Sequence, residues 1–510
     1  MDQNLSALMH NLSISENRLE TLIFEIKTVV ASSHSSHFKN IIKAADLESL
    51  FLCLDTSERE EIEAICFILT SLLPIVDPVD VAVQLSSSIQ KGLTHPNSDV
   101  QLLTLKELQR IVGTTDGASA LADSPETSRF AIFLVGHQDE SLSLAAVKFL
   151  SDLGKTSPNA ARIILKPGFQ PHYRDLKTVM QKSDIVRFRV YEIVCNIQSE
   201  SNEMLELCIE SGLIKQLIEE LDGNDVLSKV TCCAMLSEMS SSKHSLDYIT
   251  QSGVVSKMVE MVKDSDSDPF SDLYVPGLIR FFGNISLNNG PLCLMELYPT
   301  FLYVLFSFIE CNELPKKQVA IETLGVIGET LEGKQLLSDQ GENFTCALKE
   351  VFQVLRYGKQ DLRLIAVQCV TSLLDHKKIH EDSLELAYAI TFPWFQLISN
   401  NPIDSIISLC KQPFPDIRCS GYALLNTVAE SRWGVEVMVE VATLVEFLLD
   451  RATESERMCK DAKFAVVKTL SKADNVASVF GNQNYLRFRQ FVNEGPYYVG
   501  TQLSVAIDEA

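Results

Sequence analysis

A four-residue pattern, apolar then variable then polar then apolar, returns ten times along this chain at nearly constant intervals, and few folds satisfy such a period. It reads LTSL at 69, LQRI at 108, LSDL at 150, VCNI at 194, LSEM at 236, FGNI at 282, LGVI at 324, VTSL at 370, LLNT at 424 and VKTL at 467. The third positions are Ser71, Arg110, Asp152, Asn196, Glu238, Asn284, Val326, Ser372, Asn426 and Thr469, and Val326 alone breaks the polar series. Successive steps are 39, 42, 44, 42, 46, 42, 46, 54 and 43 residues. HEAT and armadillo repeats have periods of about 40 to 47 residues. A second echo supports the period: ESGLIKQLIEELDGNDVLSKV and QSGVVSKMVEMVKDSDSDPFS place Ser211-Gly212 and Ser252-Gly253 41 residues apart.

Each occurrence sits near the end of a long segment with apolar residues at helical rather than alternating spacing. Gly, Pro, Asp and Asn cluster between these segments, at LDGND, KDSDSDP, CNELP, RYGKQD, NNPID and KQPFPD, where one helix ends and the next is capped. Each unit is then two or three helices, and stacked units bury what a single unit cannot. The fold class expected is all-α, an armadillo/HEAT-like α-solenoid. Residues 1–60 form an N-terminal helical cap, 61–480 about ten repeats, 481–499 a C-terminal cap segment and 500–510 a flexible tail. In NDVLSKVTCCAMLSEMS, adjacent helix positions differ by about 100°, so Cys232 and Cys233 point different ways and cannot clasp one metal. They read as small apolar residues of a helix covered on two faces, Val226, Val230 and Ala234 on one, Met235, Leu236 and Met239 on the other.

Composition narrows the function classes. Hydrophobic residues make up 46% and charged ones 22% of 510 residues, which suits a well-buried protein and not long disorder. A net charge of −23, spread along the chain, repels phosphate backbones and anionic membrane surfaces, so neither is an expected partner. The start, MDQNLSALMHNLSISENRLE, carries acids where a secretory signal needs bases and an apolar run. CFILTSLLPIV and FLYVLFSFI reach only half the length of a membrane span and read as core helices. Thirteen cysteines with no CxxC pair point to a reducing compartment rather than to zinc or a dithiol motif. A cytoplasmic location is expected, extending to the nucleus, with a monomer when free.

Motifs that would make this an enzyme fail on their details. GETLEGKQ, Gly328 to Gln335, matches G-x-x-x-x-G-K, but Gln335 stands where magnesium needs Ser or Thr, and a repeat helix precedes the loop instead of a strand. His376 and His380 in HKKIH, like His34 and His37 in HSSH, lack the Glu and the third ligand of a zinc site and read as surface histidines. No catalytic residue, cofactor or metal site is expected.

The polar third positions form a ladder on otherwise apolar helices, and a polar group kept there meets solvent or a partner. Asp152, Asn196, Glu238, Asn284, Ser372 and Asn426, with Arg280 one turn before Asn284, are the candidate partner-binding residues. The plainer alternative is that they satisfy one another and the backbone between repeats. Nuclear-import adaptors grip basic peptides with such an asparagine ladder and a tryptophan four residues earlier. Here Glu192, Arg280 and Tyr422 occupy those places, while Trp394 and Trp433 are out of register.

Longer strings carry a closer likeness. GLTHPNSDVQLLTLKELQRIV, SDIVRFRVYE, SDSDPFSDLYVPGLIRFFGNIS, EGKQLL, KQPFPDIRC, DAKFAVVKTL and above all NYLRFRQFVNEGPYYV resemble the family of the 26S proteasome non-ATPase regulatory subunit 5 from about Lys91 to Val499. The resemblance implies a non-enzymatic chaperone for assembly of the proteasome base. Its implied partners are proteasomal ATPase subunits, held by the C-terminal domain of a regulatory subunit 7 type, and other base subunits. It is expected to be absent from the mature particle. The resemblance carries no client-binding residue onto numbered positions, so the ladder rests on the residues alone.

Overall fold

The computed structural model describes residues 8–9, 19–32, 38, 42–56, 58–166 and 175–498. The chain divides into two compact units, Met1–Ser252 and Gly253–Ala510. Every occurrence of the four-residue pattern lies in the last turns of a helix. In the first unit these helices are α1 (Arg59–Leu72), α2 (Ser98–Val112), α3 (Glu140–Thr156), α4 (Asp184–Gln198) and α5 (Val226–Met239). In the second they are α6 (Ser271–Asn289), α7 (Leu314–Ile327), α8 (Gln360–Leu374), α9 (Pro415–Glu430) and α10 (Arg457–Lys472), followed by α11 (Gly481–Glu494). Within each unit they pack side by side in chain order, with shorter helices between them, and among the described residues there is no strand. That is the stacking of an armadillo/HEAT-like α-solenoid.

The four-residue pattern explains why these helices stack. Its first and fourth positions share one stripe of a 3.6-residue helix and form the core. Leu150 and Leu153, Val194 and Ile197, Leu236 and Met239, Phe282 and Ile285, Leu324 and Ile327, and Val370 and Leu373 are each at most 1% exposed. The third position falls about 100° off that stripe, on the shoulder. Nine of the ten shoulder residues are half-buried, and Glu238 is exposed. The starts are fixed by caps: Asp139, Ser183 and Asp225 accept from the backbone N–H groups of Leu142, Val186 and Ser228 at 3.1, 3.3 and 2.9 Å. The Ser-Gly echo is also a structural repeat, since Gly212 and Gly253 adopt φ of +75° and +77°, a left-handed conformation that favours glycine.

The structure corrects two expectations. The Val226, Val230 and Ala234 face of α5 is not covered: Ala234 is exposed, the two valines are half-buried, and Leu227 beside them is 72% exposed. α5 is the last pattern helix of its unit, and its buried residues, Cys232, Cys233, Leu236 and Met239, sit on the side packed within that unit. His376 is not a surface histidine. It is buried, with Nε2 3.0 Å from the Thr391 hydroxyl and Nδ1 3.3 Å from that of Ser431, and it does not share a helix face with the exposed His380. Burial, and then the nearby Lys334 ammonium, push its pKa down to about 4. The 54-residue step is explained here too. Residues 375–383 form an added loop after α8, folded back by Lys377 on Glu430 at 3.3 Å and by Lys378 on Glu329.

The FLYVLFSFI segment is a core helix, with Phe301, Leu302, Leu305, Phe306 and Ile309 buried. No single described helix is long and apolar enough to cross a membrane. The HSSH histidines, most of residues 1–18 of the cap and the 500–510 tail lie outside the described residues.

Candidate functional site

In the first unit, α3, α4 and α5 bring Asp152, Asn196 and Glu238 onto neighbouring shoulders. Asn196 is tied to the preceding helix, its Oδ1 accepting from Lys155 at 3.4 Å. Asp152 and Glu238 make no side-chain hydrogen bond or ion pair among the described residues. One turn before Asn196 stands Glu192, whose carboxyl pKa is raised first by burial and then by the charge of Glu238. Arg189 opposes that shift. Its guanidinium is anchored at 3.2 and 3.3 Å to the carbonyls of Val135 and His137, in the preceding repeat. The strip therefore carries the like charges of Glu192 and Glu238 on adjacent helices, only partly offset by Arg189, an arrangement that gains from a basic partner.

In the second unit the ladder is knitted more tightly. Arg280 of α6 pairs with Glu322 of α7 at 3.0 Å, and both are partly exposed. Asn426 of α9 accepts from the Thr469 hydroxyl of α10 at 2.7 Å and donates to Glu430 at 2.9 Å. Asn284 and Ser372 are half-buried on α6 and α8. The plainer reading thus accounts for Asn426 and Thr469, and in part for Asn196, while half-buried Asp152 and exposed Glu238 make no such bond among the described residues.

GETLEGKQ is a packing device. Thr330 caps the helix Leu331–Asp339 by accepting from the Gly333 N–H at 3.1 Å. A Cβ on Gly333 would stand 1.8 Å from the Ile327 carbonyl oxygen, so the turn closes only on glycine. Lys334 is fully buried and donates to the carbonyls of Gly328, of Ser372 at 3.3 Å and of Leu373 at 2.9 Å. These carbonyls lie at the ends of α7 and α8, where that of Ser372 also accepts from the Asp375 N–H at 3.3 Å, so one ammonium caps two consecutive pattern helices. Burial pushes its pKa down to about 8, against the pull of Asp375 and Glu329. No phosphate reaches an ammonium enclosed in this way.

Cys232 and Cys233 are fully buried, Cys232 donating to the Leu217 carbonyl at 3.1 Å, and burial pushes the Cys233 thiol up to about 12. Among the described residues no group of three or more His, Cys, Asp or Glu is placed to hold a metal.

Sequence reasoning did not single out Arg451, which organises the closing string. Its guanidinium lies 3.8 Å from the centroid of the Phe491 ring and donates to the carbonyls of Phe491 at 3.1 Å and Gly495 at 3.2 Å. Tyr497 donates to Asp461 at 2.6 Å and accepts from Arg457 at 3.2 Å. Residues 484–498 of the closing string are thereby strapped across α10.

The comparisons agree with these strings. A family model described as "Proteasome non-ATPase 26S subunit" matches residues 1–510. The chain belongs to this proteasome non-ATPase 26S subunit family. The bovine "26S proteasome non-ATPase regulatory subunit 5" is 33% identical over 505 residues, 99% of each chain. The human protein of that name is 34% identical over 471 residues, 92% of each. An engineered protein of known structure covers 88% of this chain and 99% of its own at 14% identity, with a TM-score of 0.36. The solenoid of this proteasome family member is read from its own helices, not from that alignment.

Proposed function

We propose that this chain is a non-enzymatic chaperone for assembly of the base of the 26S proteasome regulatory particle. It holds the C-terminal domain of a proteasomal ATPase subunit, of the regulatory subunit 7 type, and leaves before the particle is complete. Membership of a proteasome non-ATPase family supports work at the proteasome, and the stacked repeats of each unit supply a row of partly exposed polar shoulders. The observation that carries the reading to a partner is the acidic strip of Asp152, Glu192 and Glu238, in which Asp152 and Glu238 make no side-chain hydrogen bond or ion pair among the described residues. Such a strip suits a basic client surface, and a client held there is covered where the finished particle needs contact. The work is done in the cytoplasm and extends to the nucleus.

Affinity capture of the tagged chain from cell extract, with native gels of the same extract, tests the proposal. Proteasomal ATPase subunits should be recovered in complexes smaller than the 26S particle. Stoichiometric co-migration with fully assembled 26S particles would overturn the chaperone role. Recovery of basic nuclear-import cargo in place of ATPase subunits would make the chain a general repeat adaptor.

A further inference from the structure

Two of the thirteen cysteines face each other across the seam of adjacent repeats. Cys419 on α9 and Cys459 on α10 place their sulfurs 3.2 Å apart. Each comes from its own pattern helix, so the contact joins one repeat to the next. Cys459 is fully buried and Cys419 is half-buried. Cys419 lies about two helical turns before Asn426, on the same shoulder of α9. The α9–α10 seam is therefore held at two heights, by the sulfurs and by the Asn426–Thr469 hydrogen bond.

Burial and the neighbouring Cys419 push the Cys459 thiol up to about 12, against the pull of Arg418, whose guanidinium also pairs with Glu454 at 3.0 Å. Cys459 therefore keeps its proton, and Cys419 is the more accessible sulfur of the two. Glu454 is itself buried and accepts from the Tyr422 hydroxyl at 2.7 Å, so the charge beside the sulfurs is fixed in place. Cys419 is open to a small oxidant, whereas Cys459 sits behind it, shielded from water.

We propose that Cys419 and Cys459 form a redox modification site, a dithiol that closes to a disulfide between α9 and α10 when the protein meets a peroxide. The ionised sulfur of Cys419 attacks one peroxide oxygen and the O–O bond breaks. Cys419 becomes a sulfenic acid, and the hydroxide that leaves takes up the thiol proton as water. The sulfur of Cys459 then attacks that of Cys419, the S–O bond breaks, and the Cys459 proton leaves with the hydroxyl as a second water. Two thiols and one hydrogen peroxide thus give one disulfide and two waters, the sulfurs losing the two electrons that the peroxide gains. The bond closes a 40-residue separation and locks the spacing of the last complete repeats.

The test uses full-length protein carrying Cys346→Ser, because Cys346 is exposed and would link copies to one another. The protein is treated with hydrogen peroxide, alkylated with iodoacetamide without reduction, digested and analysed by mass spectrometry. A linked peptide pair containing Cys419 and Cys459, lost on treatment with dithiothreitol, is expected. The melting temperature should rise by about 5 °C on oxidation and stay fixed when Cys419→Ala is added, a variant whose folding is checked by circular dichroism. Recovery of both peptides in alkylated form would overturn the proposal. So would Cys419 passing to sulfinic acid with Cys459 still a free thiol, or cross-links formed only through other cysteines.

Discussion

Thr469 donates its hydroxyl to Oδ1 of Asn426 across 2.7 Å, joining equivalent positions of two consecutive pattern helices. The same asparagine donates to Glu430, which also receives Lys377 from the added loop at 3.3 Å. A polar shoulder residue in this repeat therefore serves register: it fixes how far one helix slides along the next. Thr469→Val keeps the shape and removes the donor. Because both groups are half-buried and water can replace the bond, the cost should be about 1 kcal/mol, read by chemical denaturation.

Lys334 should matter more. Lys334→Ala removes an ammonium shared by three carbonyls at the ends of α7 and α8 and leaves a void where the side chain was. A destabilisation of about 3 kcal/mol or more is expected, although alanine relieves the burial of a charge. Titration calorimetry with ATP should give no binding isotherm for either protein. Saturable binding by the wild type that vanished in the variant would contradict the packing role.

His376 gives the second unit a pH dependence of known sign. Above about pH 6.5 the imidazole is neutral in both the folded and the unfolded chain, and its contribution is complete. As the pH falls towards about 4, the unfolded chain takes up a proton that the buried ring refuses, so stability is lost. Between pH 7 and 5 the wild type should lose about 2 kcal/mol more than His376→Asn. Equal losses in the two proteins would mean that the ring is free to charge in the folded state.

The repeat was legible because its signal is local: i and i+3 apolar positions with a polar residue between them report one helix face, and ten copies report the stack. What depends on distant partners was not. The burial of His376 is set by Thr391 and Ser431, which lie 15 and 55 residues away. The role of Lys334 rests on carbonyls 38 and 39 residues on. Apolar residues at Val226 and Val230 looked like core, yet they are half-buried beside the exposed Leu227 and Ala234, because an apolar residue type does not by itself report which neighbours cover it. At the ladder, residue type identified the shoulder, but only geometry separated Asn426, used between repeats, from Asp152 and Glu238, which make no side-chain hydrogen bond or ion pair among the described residues.

That separation leads to the charge reversal that tests the acidic strip. Asp152→Lys with Glu238→Lys places two cations where a basic client surface would sit, turning attraction into repulsion. Charge pairs that are partly desolvated on binding contribute about 1 to 3 kcal/mol each, so capture of the ATPase C-terminal domain should weaken at least ~10-fold. The fold has no reason to suffer, since neither acid makes an internal hydrogen bond or ion pair among the described residues. The second change even relieves Glu192, whose carboxyl is raised in part by the charge of Glu238. Helical content should therefore stay constant and the melting temperature should hold or rise slightly. Undiminished capture by the doubly reversed protein would move the client off this strip, whereas loss of capture together with a lower melting temperature would assign the two acids to the fold.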